Sequence, residues 1–478
     1  MLVLIYKNNL DHLLMQISGK NINLGLNIVL SILLSAVYLS LHTVGYYDIT
    51  LRSLAAIGLI PVISSALILF STKEIRMAVM TLVLYQTWNM FLEPYTWKLP
   101  VESIYRVFNN ADFFEMALVS DLSLFALYIG FIRSFDKINA KPFFKESYMS
   151  AVKLKKIVLW MIFGGYLLGG LQIIFNLIGL PFGFIGLIDT MLPATVGAVF
   201  LLYYLRGGRN VLLTILVVCY MAYYFVYYVG GTLFVYSIFL VLAPTVVYIV
   251  ERRKIPYVVL GITIILLLPI YMTRHNYRNE GLHSTGAVRM AIGAEILINE
   301  YSNISIDRWK QDYDKKQGDY NVDNRTEGVS YLGQVVNCHK RNNYPYLWGQ
   351  TMAWLPTMIL PHFFIPFRPS QNMGDAWAIY YKLKDPSWNA SINFPMLVEF
   401  YANFGYLGMI ILQFLNGMLI VWFMRKFNDG LGDANLLLLI FIITRIVVVE
   451  ANVTLSYGAV LQVMTICWLF KKIVQKRA

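Results

Sequence analysis

Apolar runs of about twenty residues follow one another along most of this chain, separated by short polar connections. A hydrocarbon layer about 30 Å thick is crossed by about 20 helical residues rising about 1.5 Å each. Segments near that length lie at 24–41, 53–70, 75–92, 113–132, 157–180, 183–205, 211–229, 232–250, 257–271, 405–424, 435–453 and 456–470. In lipid every backbone N–H and C=O must be paired within the segment itself, so these runs are predicted to be helices. The expected fold is all-α: a polytopic integral membrane protein of about twelve transmembrane helices. Between Met272 and Asn403 the pattern changes, and polar, charged and aromatic residues dominate. The chain therefore divides into an N-terminal bundle of about nine helices (1–271), one large loop (272–403) and about three C-terminal helices (404–478). Within the loop, 351–367 is apolar but interrupted by Pro356, Pro361 and Pro366, and is expected to be re-entrant or interfacial.

Composition agrees with a lipid environment, since only 14% of residues are charged and mean hydropathy is +0.58. Soluble domains carry about 25% charged residues. The cations are unevenly placed. Alternate connections hold 22 of the 39 Lys and Arg, the opposite short connections three (Arg52, Lys98, Arg106). Under the positive-inside rule both termini are cytoplasmic and the large loop lies outside. Its thirteen cations face twelve acids. The net charge of +12 is thus an orientation signal, and no nucleic-acid partner is expected. No cleavable signal peptide is expected, because Met1–Tyr6 is too short for an apolar core. Of three cysteines only Cys338 lies in the loop, which excludes a disulfide within it. The basic connection 133–156 reads as a stop-transfer anchor or as a binder of anionic lipid. No inverted repeat is visible, which argues against many transporter architectures.

Ionisable residues inside spans are costly and mark either internal pairs or functional cavities. Arg445 lies in the 435–453 segment, with Glu450 and Asn452 beyond it; Glu115, Asp121 and Asp189 are the other buried candidates. Arg445 either pairs with one of these acids or is the deep cation of a polar cavity. Arg274 and Arg278, four apart where the chain leaves the 257–271 segment, share a face if the helix continues. Two guanidiniums there suit a pyrophosphate group, which each binds bidentately. Before the 405–424 segment, Glu399 and Asn403 are one helical turn apart, with Tyr401 between them. Tyr344, Tyr346, Trp348, Trp354 and Trp377 supply aromatic faces for sugars or for the interface. Asp312-Tyr-Asp314 looks like a metal-binding Asp-x-Asp, but it sits in a solvated charge run.

The string Glu399-x-Tyr401-x-Asn403-Phe404-Gly405-x-x-Gly408, with Pro361, Pro366, Arg368 and Pro369 before it, resembles the bacterial lipid-linked oligosaccharide repeat-unit polymerases (Wzy-type) of O-antigen and capsule. The turn Arg206-Gly-Gly-Arg209 is similar to another of their features, and the single large external loop to their topology. His362 stands where the family commonly has arginine, which leaves its role open. The resemblance implies glycosyl transfer at the outer face of the cytoplasmic (inner) membrane. A glycan on undecaprenyl pyrophosphate passes to a sugar hydroxyl of the next lipid-linked unit. It implies Glu399 or His362 as the base, with Arg445 as a catalytic cation. Arg274, Arg278, Arg368, Tyr401 and Asn403 become substrate contacts. No cofactor or metal is expected, and the pathway's flippase and chain-length regulator are expected partners. O-antigen ligase and a precursor flippase are the competing readings.

Overall fold

The computed structural model describes residues 22–42, 49–72, 74–92, 110–135, 143–144, 148–177, 183–231, 234–252, 254–267, 270, 286–302, 328–360, 365, 374–383, 394–428, 432–448 and 451–477. Among these the chain is helical throughout, with no strand. The first part holds α1 (Ile22–His42), α2 (Ile49–Thr72), α3 (Ile75–Phe91), α4 (Asn110–Phe135), α5 (Ala151–Leu177) and α6 (Gly183–Leu205). Then come α7 (Val211–Gly230), α8 (Phe234–Arg252) and α9 (Tyr257–Leu267). The polar stretch contributes α10 (Gly286–Ser302), α11 (Gly328–Arg341), the short α12 (Gln350–Ala353) with a 3-10 turn at Leu355–Ile359, and α13 (Gly374–Tyr380). The chain closes with α14 (Met396–Asn428), α15 (Asp433–Ile446) and α16 (Val453–Arg477).

Each apolar segment read from the sequence overlaps one of these helices. Among the described residues, four helices are long and apolar enough to cross a membrane: Thr50–Leu69, Phe113–Phe135, Val211–Gly230 and Met396–Phe427. The exposed sides of α7 and of the shorter α9 fit lipid better than water. Leu212 is 78% exposed, Val258 74% and Ile265 70%, in stretches with no polar face to turn outward. Three differences from the expected boundaries have local causes. Helix α5 begins at Ala151, so Lys153, Lys155 and Lys156 extend its first turns instead of lying in the connection. Helix α15 stops at Ile446, seven residues before the predicted end of that segment at 453. The loop is also more structured than its polarity implies, since α10 and α11 each bury one apolar stripe.

The chain forms two compact units. The first comprises Met1–Ile138, Asn324–Val421 and Ile446–Ala478. Within it, the Trp88 Nε1–H donates to the Ala55 carbonyl at 2.8 Å, tying α3 to α2. Helices α4 and α14 cross on glycine: a Cβ at Gly130 would lie 2.1 Å from the Phe414 carbonyl oxygen, one at Gly417 2.2 Å from that of Leu127. Small residues at a crossing let two backbones approach where lipid offers no hydrophobic drive. The predicted re-entrant segment packs on α16, where Gln462 Nε2 donates to the Met358 carbonyl at 2.6 Å. Pro356 opens its 3-10 turn, a position where the missing N–H is not needed.

The second unit comprises Asn139–Asp323 and Trp422–Arg445. Helix α10 lies against α7 through Gly230 and Gly293, and its Ile296 joins Val229, Leu267 and Ile270 in an apolar cluster. At the other end of α7, Arg206 makes a two-pronged bond to buried Asp433, Nη1 to Oδ2 at 2.6 Å and Nη2 to Oδ1 at 2.5 Å. The same guanidinium reaches Glu251 at 3.0 Å and the Met149 carbonyl at 2.9 Å. The Arg206-Gly-Gly-Arg209 turn is therefore a structural latch, with Gly207 at φ +82 ending α6.

Candidate functional site

In the first unit the site grows from one break in a helix. Gly405 has φ 66 and ψ −163, a region essentially closed to residues with a Cβ. The break frees carbonyls that the helix would otherwise use, and a neighbouring segment takes them up. Leu347 N–H donates to the Ala402 carbonyl at 3.0 Å and Trp348 N–H to that of Asn403 at 3.1 Å. The chain then reverses through Leu347–Gln350, closed by Gln350 N–H to the Leu347 carbonyl at 2.9 Å. Trp348 (φ 47) and Gly349 (φ 85) occupy its two central positions, both left-handed, which makes it a type I′ turn.

The side chains of the Glu399–Asn403 string lock this turn in place. Asn403 Oδ1 accepts from Gly349 N–H at 2.8 Å. Its Nδ2 donates to Thr351 Oγ1 at 2.7 Å and back to the Glu399 carbonyl at 2.8 Å. Glu399 Oε2 accepts from Val453 N–H at 2.7 Å, joining the string to the start of α16. Glu399 is 1% exposed and Asn403 fully buried. The Thr351 hydroxyl bonds the same carboxyl. A carboxylate so enclosed, with one oxygen already engaged, is placed to hold structure; a proton donor reaches it only if the cover opens.

Around this clamp lies an aromatic knot. His339, at the end of α11, stacks on Tyr346 at 4.6 Å between ring centroids and meets Tyr401 edge-on at 5.6 Å. Its Nδ1 lies 2.8 Å from the Tyr344 carbonyl, which can only accept, so Nδ1 carries the proton. Nε2 then accepts from the Tyr381 hydroxyl at 3.2 Å. Both nitrogens are satisfied in the neutral ring. Burial lowers the His339 pKa from the ordinary histidine value, and the bond to the Tyr344 carbonyl opposes that shift only in part. Burial likewise raises the Tyr381 hydroxyl, keeping it a donor. Tyr344 and Tyr381 lie 6.1 Å apart and Tyr381 stacks on Phe394 at 5.8 Å. Outside the knot, Lys340 pairs with Glu115, so this acid has a partner of its own.

In the second unit the notable groups are cations. Arg445 projects from apolar α15 over the Phe441 ring at 5.7 Å and bonds the Tyr236 hydroxyl. Among the described residues no carboxylate pairs with it, and its Nε is buried without a partner. Arg289, on α10, lies over the Tyr227 ring at 4.9 Å. A Cβ on Gly231 would come within 3.0 Å of that guanidinium, so the glycine makes room for it. Its Nε is also buried and unpartnered. Tyr227, Tyr228 and Tyr236 form a continuous run of rings, 6.1 and 5.6 Å apart, from the ring under Arg289 to the tyrosine that Arg445 bonds.

Of the sequence candidates, Glu399, Tyr401 and Asn403 come together, and Tyr344, Tyr346 and Trp348 join them. Arg445 belongs to the second unit. Arg274, Arg278, His362 and Arg368 lie outside the described residues, as do Glu450 and the side chain of Asp189. The sequence reading passed over His339 and Arg289. The former had a visible signal: Val329, Leu332, Val336 and His339 recur at helical spacing on one buried face of α11. Comparison with protein-family models, curated proteins and solved structures finds no match.

Proposed function

We propose that the chain is a metal-independent membrane glycosyltransferase of about twelve spans that polymerises undecaprenyl-pyrophosphate-linked oligosaccharide repeat units. Positive-inside charge sets the active face on the outside of the cytoplasmic membrane. The observation that carries the reading is Arg445: a guanidinium in an apolar helix, with a tyrosine and not a carboxylate as its partner. A cation held at that cost without a neutralising acid suits a mobile anion. The transfer needs one. The acceptor hydroxyl oxygen attacks the anomeric carbon, the bond from that carbon to phosphate oxygen breaks, and the lipid pyrophosphate leaves with the electron pair. Arginines oriented beforehand stabilise that charge in the way a metal otherwise would. Arg445 takes this role, with Arg274, Arg278 and Arg368 as the further cations of the external stretch. His362 takes the hydroxyl proton, for which a near-neutral imidazole is suited. Glu399 and Asn403 position the turn that carries Trp348, beside Tyr401 and the other aromatics.

The test is a deletion strain complemented with wild type or Arg445→Ala. Loss of the ladder with one repeat unit retained on the lipopolysaccharide core means polymerase. Lipid-linked polymer accumulating with nothing on the core means ligase, and single units stalled on the cytoplasmic face mean flippase. Arg445→Ala is expected to abolish polymer at unchanged protein level. Wild-type chain lengths in that variant would remove Arg445 from the site.

A further inference from the structure

Left-handed backbone is strained for any L-residue that carries a Cβ. Among the described residues only three non-glycines adopt it: Asn343, Trp348 and Lys382. All three belong to the His339 knot, on the two segments that carry Tyr344–Tyr346 and Tyr380–Tyr381. Strain gathered in one place among the described residues marks a segment whose conformation is held for use. Trp348 is the extreme case, since the first central position of a type I′ turn favours Asn, Asp or Gly. The backbone around it is fully committed: Trp348 N–H to Asn403, Gly349 N–H to the Asn403 side chain, Gln350 N–H to Leu347. Yet the indole, which this scaffold holds in place, is 74% exposed. Tyr346 at 6.2 Å and Phe404 at 6.3 Å meet it edge to face, at 77° and 74°, and fix its plane. Exposed amides flank it, Asn343 before and Gln350 after.

We propose that the Leu347–Gln350 turn is a carbohydrate subsite, with the Trp348 indole as the platform on which one pyranose ring of the glycan stacks. The assignment of this glycan to a lipid-linked repeat unit rests on the polymerase reading. The chemistry itself does not. A sugar's axial C–H face pairs with a flat π-system, while its equatorial hydroxyls need amide donors and acceptors at the rim. The turn supplies the exposed ring and, two residues on, the exposed amide of Gln350. An interfacial anchor, the commoner use of tryptophan near a membrane, needs only the amphipathic ring. It gives no reason to hold that ring on a strained backbone between two edge-on aromatics.

The experiment uses the full chain in nanodiscs, labelled with 5-fluorotryptophan, whose ten fluorine resonances include one that vanishes in Trp348→Phe. That resonance is followed during titration with defined di- to tetrasaccharides of hexoses and N-acetylhexosamines, and separately with spin-labelled lipid. It is expected to shift saturably with at least one saccharide. Trp348→Phe should weaken that binding several-fold and Trp348→Gly about tenfold or more. Both Trp348→Gly and Trp348→Ala lose the ring, but only glycine relieves the left-handed strain, so Trp348→Gly should melt about 1–2 °C above Trp348→Ala. A resonance that no saccharide moves, or that only spin-labelled lipid broadens, overturns the platform. Sugar binding without polymer in the complemented strain would sink the polymerase reading and leave the platform standing. Wild-type polymer from Trp348→Ala would do the reverse.

Discussion

Replacing Glu399 separates a strut from a base. The side chain is 1% exposed, and Oε2 accepts from Val453 N–H at 2.7 Å. In Glu399→Ala that amide is left buried without a partner, which costs about 1–3 kcal/mol. The space vacated beside Thr351 and Asn403 adds about 1 kcal/mol. The expected loss is therefore about 2–4 kcal/mol, enough to lower the melting temperature by several degrees and reduce inserted protein. Glu399→Gln keeps an oxygen for Val453 N–H and nearly the same volume, and it buries no charge. Its stability should stay within about 1 kcal/mol of wild type. Gln has no basic atom for a hydroxyl proton, so the two roles diverge here. On the strut reading, Glu399→Gln retains polymer of near-normal length and Glu399→Ala loses it in proportion to folded protein. Melting of the purified chain, followed by size-exclusion fluorescence, and the polysaccharide ladder give both quantities. An Ala variant as stable as wild type would refute the buried-bond argument. A Gln variant that is stable but makes no polymer would return the base to Glu399.

Two further substitutions probe the same unit. Gly405→Ala forces a Cβ into φ 66, ψ −163 and to within 3.1–3.4 Å of the Tyr346 ring and hydroxyl. It should cost about 1–3 kcal/mol and unseat the 347–350 turn, read as a lower melting temperature and faster amide exchange at Leu347 and Trp348. His339 gives a pH signature. Burial holds its folded pKa below the ordinary 6.5, so the unfolded chain binds the extra proton first as pH falls. Its contribution to stability is complete above 6.5 and is lost as pH falls through the folded value. Wild type should lose melting temperature between about pH 7 and pH 5 more steeply than His339→Gln; parallel slopes would exclude the buried neutral ring.

Helix content was legible in the sequence because a lipid-soluble backbone has one local solution: pairing each N–H with the carbonyl four residues earlier. The apolar segments at 183–205 and 211–229 meet helices Gly183–Leu205 and Val211–Gly230 almost residue for residue. The pairing of Glu399 with Asn403 one turn on was legible for the same reason, as the 2.8 Å bond from the Asn403 side chain to the Glu399 carbonyl. Inside the polar stretch the signal weakens. Helix α10 mixes Arg289, Glu295 and Glu300 into a short apolar stripe, and only its packing on Gly230 of α7 makes that stripe worth burying.

By itself, then, the sequence determined the helical class, the apolar segments and a set of rare polar groups within them, all properties of short windows of chain. Tertiary structure decided which of those groups are committed and which are free. The Arg206-Gly-Gly-Arg209 turn stood out only by resemblance, and its Arg206 is latched to Asp433; Arg445 looked pairable and has a tyrosine. Trp348 was one aromatic among many until the break at Gly405 put it on a strained turn. Those outcomes depend on contacts between residues 50 to more than 200 positions apart, as from Gly349 to Asn403 and from Arg206 to Asp433. No local pattern encodes them, because each is set by which backbone the folded chain brings alongside.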